Sequence, residues 1–319
     1  MMYAMHVLVT GGAGFIGSHL VEALLARGDS ACVLDNFDPY YDPRVKRNNL
    51  RIAEQYDGFS LVPGDIRDTE RIESLFHRHG FEAVVHLAAL AGVRESLEQP
   101  QEFVDVNVSG TLNLLEAARY FGQPRFILAS TSSVYGLSTA LPYREDDPLL
   151  RPVSPYGATK IAAEKLGHIY HAVHGLPVVS LRFFTAYGPR QRPDMAIHRF
   201  ARAILEGEEF ALYGDGHTSR DYTYIGDIVA GVLAALDGAQ PYDVINLGNS
   251  EATELLELVR LLADACGLEA RVEFLPEQPG DPPHTCADIS HARLALGYSP
   301  RTPLPTGLAL FVDWLRKQG

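Results

Sequence analysis

The chain has 319 residues, 46% of them hydrophobic and 21% charged, with a formal net charge of −13. This length supports a large core and about two domains, and the acidic balance argues against a nucleic-acid surface, which needs basic patches against phosphate; an anionic substrate would need locally placed cations. Cys32, Cys266 and Cys286 are widely spaced with no Cys-x-x-Cys, Met1 to Thr10 reads as a short start followed by a strand, and no apolar run of about 18 residues occurs; no disulfide framework, zinc site, targeting signal or membrane span is expected, and the cytoplasm is the expected compartment.

His6-Val7-Leu8-Val9-Thr10 reads as a buried strand that runs into Gly11-Gly12-Ala13-Gly14-Phe15-Ile16-Gly17, and Ser18 to Arg27 follows with helical period, closed by Gly28. A strand, a glycine loop and a helix in that order suit a pyrophosphate: glycine permits the tight turn and close approach, and the helix start offers unpaired N–H groups. Ala31 to Leu34 is a second strand ending in Asp35, placed to hydrogen-bond ribose hydroxyls and to repel a 2′-phosphate, so NAD is expected over NADP. The segment Asn36 to Asn49, with Tyr40, Tyr41, Arg44, Lys46 and Arg47, reads first as solvated charge and second as a border of the cofactor or substrate site.

Phe59 to Val62 is a third strand, followed by Gly64-Asp65-Ile66-Arg67-Asp68, a loop able to bracket an adenine; Asp65 and Asp68 are both N-cap candidates for the next helix. Ala83 to Leu87 is a fourth strand in which His86 reads as a core histidine, and the small Ala88 and Ala89 after it allow close approach of a cofactor. Val104 to Tyr120 is predicted as one long amphipathic helix carrying Asn107. Arg125 to Ala129 is a fifth strand that ends in the hydroxyl cluster Ser130-Thr131-Ser132-Ser133, at the strand end where parallel sheets bind ligands.

After a proline-rich, acidic loop, Pro155 opens a helix that carries Tyr156 and Lys160 one turn apart on one face. A free phenol has a pKa near ~10, and bringing it down ~3 units takes roughly 4 kcal/mol, which an adjacent ammonium can help supply. Alone the pair is weak evidence; behind a hydroxyl cluster and a glycine loop it becomes specific. Leu176 to Leu181 is a sixth strand, after which the alternation loosens into loops rich in arginine, Phe183 to Met195 and Gly214 to Tyr222. Any one of these arginines reads equally as a surface ion pair or a phosphate ligand. His168, His171 and His174 read as surface histidines; Asp227 to Leu236 with Val244 to Leu247 reads as a helix and strand, and Glu254 to Ala265 and Leu304 to Lys317 as further helices.

Taken together, the glycine loop, Asp35, the hydroxyl cluster and Tyr156-x-x-x-Lys160 resemble the extended short-chain dehydrogenase/reductase family over nearly the whole chain. Arg182-Phe183-Phe184-Thr185, Tyr187-Gly188-Pro189, Arg220-Asp221-Tyr222-Thr223-Tyr224 and Gln278-Pro279-Gly280-Asp281 are similar to blocks of its nucleotide-sugar 4-epimerases. Ala91-Gly92-Val93-Arg94, Thr131-Ser132-Ser133 and Arg192-Pro193-Asp194-Met195 resemble the UDP-glucuronate subgroup in particular. The resemblance implies an α/β Rossmann fold, a doubly wound parallel sheet over residues 1–182, with a smaller nucleotide-sugar domain over 183–319 from which 225–247 returns to the first. It also implies a homodimer formed through the helices around 104–120 and 156–173.

By the same resemblance, NAD would be held by Gly11, Gly14, Phe15, Ile16, Gly17, Asp35, Asn36, Asp65, Ile66, Leu87, Ala88, Ala89, Asn107, Ser130, Tyr156, Lys160 and Phe183. A UDP-sugar would meet Arg94, Thr131, Ser132, Ser133, Thr185, Arg192, Tyr213, Arg220, Gln278 and Asp281. The implied reaction inverts carbon 4 through a transient 4-keto sugar, with Tyr156 as base, Lys160 lowering its pKa, and Thr131 aided by Ser132 on the substrate oxygen. No metal is implied. A 4,6-dehydratase would need carboxylates where Ser132 and Ser133 stand, and the loop sequence of UDP-glucuronate decarboxylases is absent after the fourth strand. UDP-glucose 4-epimerase is the nearest alternative; a dinucleotide sensor without chemistry would not need Tyr156, Lys160 and Thr131.

Overall fold

A computed structural model describes residues 4–138, 140–276 and 282–318; Gln278 and Asp281 lie outside these residues. In chain order the strands are β1 (His6–Thr10), β2 (Ser30–Asp35), β3 (Phe59–Pro63), β4 (Ala83–His86), β5 (Arg125–Thr131), β6 (Val178–Phe183), β7 (Thr185–Tyr187), β8 (Glu209–Tyr213), β9 (Ser219–Tyr224), β10 (Tyr242–Leu247), β11 (Ala252–Glu254) and β12 (Arg271–Leu275). The helices are α1 (Phe15–Ala26), α2 (Pro43–Asn49), α3 (Thr69–His79), α4 (Val93–Glu98), α5 (Pro100–Val104), α6 (Thr111–Tyr120), α7 (Pro155–His174), α8 (Ala196–Glu206), α9 (Ile225–Asp237), α10 (Leu255–Cys266), α11 (Ser290–Leu296) and α12 (Leu304–Arg316).

Seven strands pair in parallel in the order β10-β6-β5-β4-β1-β2-β3. This is the doubly wound order, extended by β10, and its strand order reverses between β1 and β4, where ligands of such sheets bind. Alternation along β1 explains the two layers. Val7 and Val9 join a core closed by α1 and α9, while Leu8 joins Cys32 and Leu34 in a core closed by α3, α6 and α7. Because side chains of a strand alternate in direction, one apolar run supplies both faces.

Local signals account for the helix that carries Tyr156. Ser154 accepts the Gly157 N–H at 3.2 Å as N-cap, Pro155 occupies the first turn, and Gly175 ends the helix in the left-handed region at φ 74°. Of the two cap candidates before α3, Asp68 takes the role by accepting the Arg71 N–H at 3.1 Å. The helix expected over 104–120 differs from expectation: it begins at Pro100 and passes through a π-helical turn, Asp105–Gly110, before α6. Gly110 lies against Ile66, whose side chain would have to shift to admit a Cβ. Such turns recur at functional sites, and this one carries Asn107.

The remaining chain builds a three-stranded sheet, β11-β9-β7, and a β12-β8 pair, over a separate core of α8, α10 and α12 residues such as Phe200, Leu258 and Phe311. Asp221, fully buried in β9, ties this region together by accepting N–H groups of Asn249, Ser250 and Ala287 at 2.7, 2.9 and 3.0 Å and the Thr223 hydroxyl at 3.1 Å. His168 and His171 pack their rings on Tyr242 of β10 at 5.0 and 5.3 Å. Among the described residues no helix is long and apolar enough to cross a membrane.

Candidate active site

The glycine loop leaves β1 at the reversal of strand order. Gly11 has φ +70°, and a Cβ there would stand 2.7 Å from the Ala88 nitrogen; one on Gly17 would stand 2.2 Å from the Gly11 carbonyl oxygen. Both positions therefore require glycine, for the turn and for close packing. Gly14 differs, because a Cβ there meets little besides the Gly11 carbonyl. It precedes α1, whose first turn has neither a side-chain cap nor an acidic residue. The arrangement offers bare N–H groups and a positive dipole end beside a surface without side chains, which suits a pyrophosphate.

Around the loop the expected cofactor residues sort into two kinds. Asp35 is buried at the end of β2 and is held by the Ala13 N–H at 3.0 Å and the Phe37 N–H at 2.8 Å, so it also fixes the glycine loop. Asn36 donates to Asp65 at 3.0 Å, and Asp65 is gripped by the Arg67 fork at 3.0 and 2.8 Å. The fork is the largest influence that lowers Asp65, to about 2. Phe15, Ile16 and Leu87 pack in the α1-side core, Ile66 in the opposite one, and Phe183 pairs beside Thr131 between β6 and β5. Ala88 closes against Gly11, with Ala89 following it in the half-buried loop.

Two side chains expected on the cofactor point elsewhere. Asn107 spends its amide on the Leu90 N–H and C=O, both at 2.9 Å, and on Thr159 at 3.1 Å. Ser130 donates at 2.5 Å to Glu164, a carboxylate of α7 that sequence reasoning passed over although it follows Lys160 by one turn. Glu164 is bound by the Arg182 fork at 2.9 and 2.8 Å, Arg182 donates at 2.9 Å to the Tyr135 hydroxyl, and that hydroxyl donates at 2.7 Å to Asn246. Burial opposes the Arg182 charge, and Glu164 outweighs it and raises the pKa. The pair forms a buried floor beneath the hydroxyl cluster.

On that floor stand the expected catalytic groups. The Thr131 hydroxyl acts on the phenol of Tyr156 to favour its ionised form, and Thr131 donates to the Ser133 hydroxyl at 3.2 Å. Ser132 and Ser133 form a short 3-10 turn directly after β5. Burial raises the Tyr156 pKa, while Thr131 and the charge of Arg192 act to lower it. The resemblance gives the lowering of this pKa to Lys160. Its ammonium instead donates to the Ala129 carbonyl at 2.9 Å, and burial, opposed by Glu164, brings Lys160 down to about 8.

The substrate-side arginines are engaged across the cleft. Arg94 lies 5.2 Å over the ring of Tyr213, which joins α4 to the end of β8. Arg220 donates to the Ser219 and Pro283 carbonyls at 2.9 and 3.1 Å, and Thr185 opens β7 half-buried. Arg192 forks onto Asp194 at 3.0 and 2.7 Å, donates to the Ala91 carbonyl at 3.0 Å and covers the Tyr40 ring at 5.0 Å. Tyr40 donates to Glu95 at 2.7 Å. The loops after β2, β4 and β7 thus meet at Arg192. The loop bearing Tyr40, whose first reading was solvated charge, borders the site instead: Lys46 is buried and donates to the Asp38 carbonyl at 3.0 Å.

A parallel Rossmann sheet with a glycine loop, a Tyr-x-x-x-Lys helix and a hydroxyl cluster defines a nucleotide-binding α/β protein with oxidoreductase-type machinery. A family model described as GDP-mannose 4,6 dehydratase matches residues 8–310, and the chain belongs to that family, part of the extended short-chain dehydrogenase/reductases. Arabidopsis thaliana UDP-glucuronate 4-epimerase 4 is 44% identical over 326 residues, which cover 97% of this chain and 74% of the relative. The structure of UDP-glucuronic acid 4-epimerase from Bacillus cereus with UDP-glucuronic acid and NAD is 40% identical, with a TM-score of 0.93 over 99% of this chain and 100% of that one. UDP-glucose 4-epimerase from Thermotoga maritima with UDP-glucose is 33% identical, with a TM-score of 0.91 over 98% and 99% of the two chains.

Proposed function

We propose that this protein is an NAD-dependent isomerase that inverts carbon 4 of a UDP-sugar, with UDP-glucuronate as substrate and UDP-galacturonate as product. The observation that carries the reading is the Tyr156 phenol at the start of α7, on which the Thr131 hydroxyl and the charge of Arg192 both act to favour the phenolate. The likeness to UDP-glucuronate 4-epimerases supports it. NAD, seated by the glycine loop, Asp35 and the segment after β4, supplies the acceptor and donor for the hydride of carbon 4.

The protein's own groups do the rest. Tyr156 takes the proton of the 4-hydroxyl and returns it, and Thr131 with Ser132 hydrogen-bonds the oxygen as it becomes a ketone. With Ser132 and Ser133 in place of an acid and base pair, elimination of water has no catalyst. Lys160 holds the cofactor ribose. Arg192, with Thr185, binds the carboxylate on carbon 5, which guards a β-keto acid against loss of carbon dioxide. Arg94 is a second cation there, and Tyr213 and Arg220 serve the nucleotide. We assign residues 1–182 with 225–247 to the cofactor domain and the remainder to the sugar domain.

We further assign a homodimer through α6 and α7, whose outer residues Leu112, Tyr120, Ile169 and Val173 are exposed and apolar. Cys32 and Cys266 are buried thiols, which suits the reducing cytoplasm.

The substrate test compares rates on UDP-glucuronate and UDP-glucose for the parent and for Arg192→Met. The expected cost is larger on the acid by about 2 to 5 kcal/mol, as for truncation of a desolvated charge pair. Arg192 also lowers the Tyr156 pKa, so its loss slows both sugars at neutral pH; the ratio between the two cancels that part. A parent that prefers UDP-glucose, or an unchanged ratio, would replace the uronate with the neutral sugar. One contact favours that second reading: the Asp194 fork already satisfies the guanidinium.

Cofactor choice is tested by titration. The parent should prefer NAD, and Asp35→Ala should narrow its preference over NADP by about tenfold, since a 2′-phosphate no longer meets a carboxylate at the end of β2. The same change should lower thermal stability, because two buried N–H groups of the loop lose their acceptor.

A further inference from the structure

Behind the glycine loop a run of hydrogen bonds passes through His86, and its protons can be counted. The ring is fully buried at the end of β4, with Nδ1 2.7 Å from Thr10 Oγ1 and Nε2 3.0 Å from Thr111 Oγ1. Thr111 donates its hydroxyl proton to the Asn107 carbonyl at 2.6 Å, so toward the ring it accepts, and Nε2 carries the hydrogen. Thr10 Oγ1 accepts the Ala88 N–H at 3.2 Å, and its own proton goes to the bare Nδ1. The neutral Nε2–H tautomer satisfies every group in the run. A second ring proton would make Nδ1 a donor as well, and the Thr10 hydroxyl hydrogen would lose the acceptor it has there.

One end of this run borders Gly11, and the other holds the same 87–90 segment. Ala88 is the residue that a Cβ on Gly11 would strike, and Asn107 clasps Leu90 through its side chain. The ring therefore spaces the end of β1, the 87–90 segment and the π-helical turn. Phe126 of β5 stands edge-on at 6.0 Å, and the charge acting on the ring is that of Lys160 from α7.

We infer that His86 is a positioning residue for the dinucleotide, held neutral in one tautomer so that the glycine loop and the 87–90 segment keep their spacing. The inference rests on the reading that these two segments seat NAD. Burial, with Lys160 adding to it, brings His86 down to about 3. Its folded pKa lies below the ordinary 6.5, so its contribution to stability is complete above about pH 6.5 and is lost as pH falls from there toward 3.

Three measurements test this. In cofactor-free protein, 15N NMR should show the His86 ring as the neutral Nε2–H tautomer, with no titration between pH 8 and about 5; an Nδ1–H or doubly protonated ring overturns the inference. His86→Phe, which keeps an aromatic ring and loses both hydrogen bonds, should weaken NAD binding about tenfold or more by calorimetry. His86→Gln, which can donate to Thr111 and accept from Thr10 without titrating, should recover most of that loss. Relative to His86→Gln, the parent should lose up to about tenfold more of its folded-to-unfolded ratio per pH unit between about 6 and 4. Equal acid slopes in the two proteins, or NAD binding by His86→Phe equal to the parent's, overturn the positioning role. A variant that does not fold leaves the decision to the NMR measurement on the parent. If the parent itself binds no NAD, the cofactor reading fails, and the tautomer and acid slope still report on His86.

Discussion

Tyr156→Phe is expected to keep the fold and the affinity for NAD while lowering epimerisation by about three orders of magnitude, within the range for removing a positioned general base. The ring packs against Phe103, with centroids 6.2 Å apart, and phenylalanine preserves that contact. What is lost is the oxygen that takes the proton of the 4-hydroxyl. Purified variant and parent should be compared by single-turnover rates on UDP-glucuronate together with an NAD titration. A variant within tenfold of the parent removes Tyr156 from the base role.

The pH profile of the parent carries a related expectation. Burial raises the phenol above its ordinary value of 10, so the phenolate is the minor form at pH 7 and the rate should climb as pH rises toward 9. Arg192 opposes that shift, and Arg192→Met should move the climb further to the alkaline side. A rate that is flat from pH 6 to 9 would show that proton removal by this phenol does not limit turnover.

The second large effect concerns the buried pair under the hydroxyl cluster. Glu164→Ala should destabilise the protein by about 3–5 kcal/mol, the usual result of leaving one member of a buried ion pair uncompensated. Arg182 would keep its charge with only the Tyr135 hydroxyl and ring as partners, and Ser130 would lose its acceptor. Urea unfolding measures the loss. The double variant Glu164→Leu with Arg182→Met removes both charges and should recover much of it, because replacement of a whole buried pair by apolar groups is often neutral. A loss below about 1 kcal/mol for the single change would mean that water or another group reaches Arg182.

Most of the central sheet was legible in the chain because its strands are short apolar runs bounded by glycine or polar turns, and their alternation is local. The glycine loop and the Tyr156 helix were legible for the same reason: turn chemistry, a proline at the helix start and a one-turn spacing act within a few residues. The short strands β7, β8 and β9 were not, since they lie in arginine-rich and mixed stretches and are ordered by pairing with strands distant in the chain; helix α8, with Ile197, Phe200, Ala201 and Ile204 at helical spacing, carried a local signal that the reading passed over.

The sequence by itself determined which residue types stand at the ends of the parallel strands, since strand, turn and helix signals are written within each segment. Only the tertiary structure decided what each side chain is used for. Asn107 lies 17 residues from the Leu90 backbone that it clasps, Glu164 lies 34 from Ser130, and Arg192 lies 101 from the Ala91 carbonyl. No local periodicity records such pairings. A buried donor or acceptor must find a partner wherever the fold provides one, because leaving it unpaired costs about 1–3 kcal/mol. That requirement turned two expected ligand-facing groups, Asn107 and Ser130, toward the protein's own backbone and carboxylates, took one of the three Lys160 donors for the Ala129 carbonyl, and set Arg192 against Asp194.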